Sequence, residues 1–104
     1  MYATVRRYEG IDKVRSEEIT RKVLESLVPS MSELPGFAGY FLIDAGAGVL
    51  TSVSLFESSA QAEASTRLAA VWIREHDLEA ALPNEPRITA GPLIAQAPQV
   101  EAHA

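Results

Sequence analysis

A one-domain α+β architecture in the order βαββαβ follows from three features of this chain. Phe37-Ala38-Gly39-Tyr40-Phe41-Leu42-Ile43-Asp44 and Val49-Leu50-Thr51-Ser52-Val53-Ser54-Leu55-Phe56-Glu57 are two β-rich runs joined by Ala45-Gly46-Ala47-Gly48, the pattern of a hairpin. A helical periodicity flanks the hairpin on each side. Short β-rich runs open and close the whole. With 104 residues the chain has the size of a single domain, expected over 1–95, and the segment 96–104, with Pro98 and mixed polar residues, is expected to be a flexible tail.

Tyr2 to Tyr8 alternates Tyr, Thr and Val with Ala and Arg, which predicts a short strand ended by Gly10. Asp12 is placed to cap a helix carrying Glu17 and Glu18 early, where the helix dipole favours carboxylates. Leu24, Leu27, Val28 and Met31 fall on one face at helical spacing. Pro29 lacks a donor N–H, so a kink, or a second short helix starting there, is expected before Pro35-Gly36 closes the segment. The hairpin is apolar on both faces, with Phe37, Phe41 and Ile43 alternating with Tyr40 and Leu42, and Val53 and Leu55 with Leu50 and Phe56. A sheet with one wetted face would not carry this pattern, so helices are expected on one side and another cover on the other. Ser58 or Ser59 caps a second, alanine-rich helix running through Ala60, Ala64, Leu68, Val71 and Trp72 to about Leu78. Pro83-Asn84-Glu85-Pro86 is a turn, and Arg87 to Ile94 the last strand, at an edge or with a bulge at Gly91-Pro92.

Composition narrows the function. The net charge of −5, from 9 Lys and Arg against 14 Asp and Glu, argues against nucleic acid as a partner. No apolar run is long enough to span a membrane, and the opening residues lack the layout of a secretory signal, so a cytoplasmic protein is expected. The absence of cysteine excludes disulfides, thiolate metal sites and thiol nucleophiles. His76, Asp77 and the distant His103 make no metal spacing, and the hairpin glycines open no helix, so they form a turn and no phosphate loop. No cofactor is expected.

Pro35-Gly36-Phe37-x-Gly39-Tyr40 opening the hairpin, Ser54-Leu55-Phe56-Glu57 running into an alanine-rich helix with Trp72, and a closing strand with Ile88-x-x-Gly91 resemble the dimeric α+β barrel superfamily, and within it the antibiotic biosynthesis monooxygenase-like domains. The likeness covers the chain to about Leu93. It implies a ferredoxin-like fold with a four-stranded antiparallel sheet, and a homodimer in which two sheets pair into a barrel. It also implies a mainly apolar pocket between helices and sheet for a small hydrophobic or aromatic ligand. Members include cofactor-free oxygenases of polycyclic aromatics and haem degraders. Against the haem degraders' Asn, Trp and His, this chain keeps Trp72 but has no Asn in Tyr2–Tyr8, and His76 follows the Trp by four residues. Two functions follow: cofactor-independent oxygenation of a small aromatic or polyketide-like compound, or a non-catalytic homodimer that binds a small ligand or only associates.

Trp72, His76 and Tyr40 are the candidate catalytic residues. An indole at the edge of the apolar stripe can line a cavity and donate its N–H, or simply fill the core. His76 lies one turn on, able to move a proton near neutral pH or to sit at the surface near a helix end. Tyr40 offers a hydroxyl on a sheet face, where β-propensity alone also accounts for tyrosine. Glu75, Leu68 and Phe41 are the candidate substrate contacts. Glu75 falls inside the stripe drawn through Ala64, Leu68, Val71 and Leu78, so either it pairs with a cation such as Arg6, Arg7 or Arg87, or the helix turns its face before this point. Arg6 and Arg7 face opposite sides of their strand, so at most one enters a pocket.

Overall fold

Alternation along β1 (Tyr2–Tyr8) buries Thr4 and Arg6 on one face and turns Val5 and the exposed Arg7 to the other. The computed structural model describes residues 1–97. After β1 come α1 (Lys13–Lys22), a π-helical turn (Val23–Leu27), α2 (Val28–Ser32), β2 (Phe37–Gly46), β3 (Val49–Phe56), α3 (Ser59–Glu75) and β4 (Arg87–Pro92). The strands pair antiparallel in the order β2-β3-β1-β4, and the helices pack on one face of this sheet. This is the βαββαβ order that the sequence predicts, in the ferredoxin-like α+β fold that the resemblance implies. Of the tail expected over 96–104, residues 98–104 lie outside the described residues, as does His103.

The first helical stretch departs from its expected face. Asp12 does cap α1, accepting the Val14 N–H at 3.0 Å. The chain then passes through the π turn, in which the Val28 N–H reaches the Val23 carbonyl, and α2 follows with Pro29 in its first turn, where a missing N–H is harmless. A π turn adds a residue to the helical repeat. Ile19, Val23, Leu27 and Met31, each four apart, therefore stay in one buried line, whereas Leu24, expected on the packed face, is 65% exposed.

A bulge corrects the hairpin in the same way. Phe37 lies opposite Phe56 and Gly39 opposite Leu55, which leaves Ala38 without a partner and shifts the register. Phe37 consequently faces the helices, its ring edge-on to Phe56 at 5.7 Å, and does not share the face of Phe41 and Ile43. Gly48 in the connecting turn has φ +76°, and a Cβ there would stand 2.6 Å from the Ile11 carbonyl oxygen. Glycine lets the turn press on the β1–α1 link, whose Ile11 N–H donates to the Gly48 carbonyl at 3.0 Å.

α3 begins as expected, with the Ser58 hydroxyl accepting the Gln61 N–H at 3.3 Å. Its buried line is Ala62, Ser65, Ala69 and Trp72, not the larger aliphatics Leu68 and Val71. Small residues let the helix axis approach the sheet closely, and Ser65 satisfies its hydroxyl on the Ala62 carbonyl at 2.6 Å. The helix stops at Glu75 because Asp77 turns left-handed, φ +55°. The Asp77 N–H returns to the Arg74 carbonyl and the Leu78 N–H to that of Ile73, a Schellman closure that drops Leu78 into the core.

Two truncations test the π turn. Leu27→Ala should cost about 2 to 5 kcal/mol in denaturant unfolding. Leu24→Ala, which a regular helix would place on the same face, should stay within about 0.5 kcal/mol of wild type.

Candidate functional site

The helix-facing side of the sheet is not wholly apolar. From β1 come Arg6 and Tyr8, from β2 Tyr40 and Leu42, from β3 Leu50 and Ser52, and these close a pocket against Val23, Leu27 and Met31 on one side and Ala69, Trp72 and Ile73 on the other. Strand alternation explains the set, since each strand sends every second residue to the helices. The cavity of the pocket is small, about 40 Å³.

Arg6 is the unusual member. Its side chain is buried, the residue being only 3% exposed. Nη1 donates to the Ser54 hydroxyl at 3.2 Å and Nη2 to the Thr66 hydroxyl on α3. Among the described residues no carboxylate pairs with it; the cations in ion pairs are Arg7, with Glu9, and Arg15 and Lys22, with Glu18. Burial pushes the guanidinium below its usual range, against the pull of Tyr8 and Tyr40. Burial likewise raises both phenols: Tyr8 against the field of Arg6, and Tyr40 against Ser52 and Arg6 with a small upward push from Tyr8. At neutral pH the pocket thus holds one cation and two protonated hydroxyls.

Trp72 is held by a closed network on its other side. Its indole N–H donates to the Ser26 hydroxyl at 3.0 Å, and Ser26 lies 3.4 Å from His76 Nε2. His76 Nδ1 sits 3.0 Å from the Trp72 carbonyl oxygen, and the two rings lean together at 4.8 Å. One tautomer satisfies every contact: Nδ1–H donates to the carbonyl, while Nε2 accepts from Ser26. Ser26 comes from the π turn, so the widened turn also reaches the indole.

The six residues singled out in the sequence separate into four places. Tyr40 and Trp72 meet in the pocket wall, which His76 does not join. Leu68 and Glu75 lie with Trp72, Ser30, Arg67 and Val71 around an outer groove of about 340 Å³. Glu75 is exposed there and reaches none of Arg6, Arg7 or Arg87, because the buried line of α3 runs through Ala69 and Trp72 and leaves it outside. Phe41 stands on the opposite face of the sheet, 56% exposed. The polar pocket residues that the sequence does not single out are Tyr8 and Ser52; the β1 alternation that sends one of Arg6 and Arg7 inward is the signal for Tyr8 as well. Among the described residues no three His, Asp or Glu side chains converge on a metal position.

Solved structures share this arrangement of strands and helices. A monooxygenase from the Streptomyces coelicolor gene ActVA-Orf6, solved with nanaomycin D, superposes with a TM-score of 0.73 at 15% identity, covering 94% of this chain and 92% of that one. The fold is that of the antibiotic biosynthesis monooxygenase-like proteins. A Nitrosomonas europaea protein of unknown function matches this fold over 98% of this chain and 95% of its own, at 21% identity and a TM-score of 0.72. The haem degrader MhuD of Mycobacterium tuberculosis, with two hemes in its active site, matches over 93% and 99% at 14% identity and 0.70. No family model and no protein of curated function matches the sequence.

Ser26→Ala should leave the buried indole N–H without its acceptor and lower unfolding free energy by about 1 to 3 kcal/mol, with a change in Trp72 emission. The two phenols set an alkaline limit. In the unfolded chain they ionise near 10.0, and in the fold higher. Between those values the unfolded chain sheds protons that the folded one keeps, so stability is full below about pH 10 and falls as pH rises through the folded values. Tyr8→Phe should shrink that fall in pH-dependent melting.

Proposed function

We propose that the chain is a homodimer whose inner pocket binds a small aromatic or polyketide-like compound and oxygenates it without a cofactor. The observation that carries this reading is the pocket itself, an apolar chamber in which Tyr40 and Trp72 meet beside a buried cation, on the fold of the Streptomyces monooxygenase solved with nanaomycin D. Dimerisation is supported by the outer sheet face, where Val5, Val53 and Phe41 lie in register across three strands and Phe41 and Ile43 are 56% and 49% exposed.

In this reading the indole supplies a flat wall, and the Tyr40 hydroxyl, protonated at neutral pH, hydrogen-bonds a substrate oxygen. The ionised substrate is itself the reductant. Its electron-rich ring carbon bonds to O₂, the peroxide anion so formed takes back from solvent the proton lost on ionisation, and the hydroperoxide then loses water together with the hydrogen of that carbon to leave a carbonyl, so one oxygen atom enters the product and the other leaves as water. His76 has no place beside the substrate here; with Ser26 it holds the indole in position. The second reading, binding without turnover, is favoured by one observation: the interior space of about 40 Å³ is far below what a polycyclic ligand occupies, so entry requires the side chains to part.

Oxygen uptake with hydroxylated aromatics checks the first reading. Wild type should consume oxygen, Tyr40→Phe should lose about tenfold or more in rate, and His76→Ala less. Equal rates across the three would remove these side chains from the chemistry, and binding without uptake would leave the second reading. Phe41→Asp together with Val53→Asp should convert a dimer to a monomer in light scattering; a wild type that is monomeric in dilute solution defeats the dimer.

A further inference from the structure

Arg6 is a buried cation whose partners among the described residues are neutral hydroxyls. A guanidinium carries five N–H donors, and two of them are taken by Ser54 and Thr66. A buried charge is stable when an opposite charge completes it. The other polar groups of the pocket, Tyr8 on the same strand, Ser52 on β3 and Tyr40 on β2, are neutral hydroxyls at neutral pH, and none is an anion. The void they enclose, about 40 Å³ to a water-sized sphere, has room for roughly two or three waters or for one carboxylate group.

A second feature gives the rest of a ligand somewhere to lie. An open groove of about 450 Å³ runs outside the pocket under the loop that carries Pro83 to Pro86, and it shares Tyr8, Ile73 and Leu82 with the inner wall. That volume suits the body of a bicyclic or tricyclic molecule. The charges along the groove are Arg74, Glu79 and Glu85. Its two carboxylates disfavour an acid left outside, whereas Arg6 attracts it inward. One cation among apolar walls balances one negative charge, which selects a monoanion over a phosphate.

We infer that the inner pocket takes an organic carboxylate with a flat apolar body, the acid on the Arg6 fork and the body extending past Tyr8, Ile73 and Leu82 into the outer groove. The planar fork fits a carboxylate with two parallel hydrogen bonds, which an ammonium cannot reproduce. The inference rests on the pocket being a ligand site and does not require that it be catalytic.

The test compares 2-naphthoate with 2-naphthamide, which match in shape and differ in charge, and follows Trp72, the single tryptophan and part of the pocket wall, by fluorescence. Wild type should bind naphthoate about tenfold or more tightly than the amide, and Arg6→Met should bring the two within about twofold. Equal affinities in wild type, no binding of naphthoate at millimolar concentration, or a preference that survives Arg6→Met would each overturn the inference. Should Arg6→Met fail to fold, Arg6→Lys takes its place, with the acid preference expected to remain and the affinity to weaken; a full-strength affinity in Arg6→Lys would count against the fork. Binding is read without turnover. A protein that prefers naphthoate but consumes no oxygen keeps this inference and loses the oxygenase reading, and one that oxygenates neutral aromatics with no acid preference does the reverse.

Discussion

The arrangement of this molecule depends on a positive charge buried between a sheet and its helices with only neutral hydroxyls to receive it. Arg6 sits on a central strand, between β3 and β4, so its backbone has no freedom to turn the side chain out to water. The helices that cover it are held by large apolar contacts, Leu27, Met31, Phe56 and Leu78 among them, and these keep the guanidinium from solvent. A cation in such a place is a cost to folding that Ser54 and Thr66 offset only in part. Retaining it is reasonable where a bound anion recovers the difference.

The neighbouring groups fit that view. Tyr8 and Tyr40 are more reluctant to ionise than free phenols, so neither neutralises Arg6 internally. Trp72 has its polar edge turned away to Ser26 and His76 and shows the pocket only carbon. In the proposed site, charge recognition and shape recognition are thereby divided between different side chains, the first on the sheet and the second on the helices.

How much of this was legible beforehand varies with the kind of signal. The order of elements, the caps at Asp12 and Ser58 and the inward or outward alternation of Arg6 and Arg7 are local properties, and local chemistry decides them. The face of the first helix was not legible, because a π turn changes the repeat without any residue type announcing it; Leu24 and Leu27 look equivalent until Val28 is seen bonding back to Val23. Phe37 was misassigned for a related reason, since the extra residue at Ala38 reverses the alternation. Side-chain size does not mark the packed face of α3, where Leu68 and Val71 lie outside the buried line. Here closeness to the sheet favours Ala62, Ser65 and Ala69, and that preference is tertiary. Glu75 lies outside for the same reason, since the buried face of α3 has turned away before it. The site was half legible: Tyr40 and Trp72 stand out as aromatic hydrogen-bonding residues, but the role of Arg6 appears only when no carboxylate is found near it.

The two sides of the sheet are mechanically one object. Val5 precedes Arg6, Val53 separates Ser52 from Ser54, and Phe41 follows Tyr40, so each apolar residue on the outer face is a chain neighbour of a residue that faces the pocket or braces Arg6 within it. Strand pleat and twist fix the directions of both members of each pair together. Whatever covers Phe41, Val53 and Val5 must therefore set the angles at which Tyr40, Ser52, Ser54 and Arg6 enter the interior. In the proposed dimer that cover is a second copy of the same face, and the geometry of the anion site becomes a property of the pair of sheets rather than of either chain alone. The pairs across the strands make the coupling stiff: Phe41, Val53 and Val5 stand side by side on successive strands, so a displacement of one carries the others, and with them the Ser54 hydroxyl that holds the guanidinium.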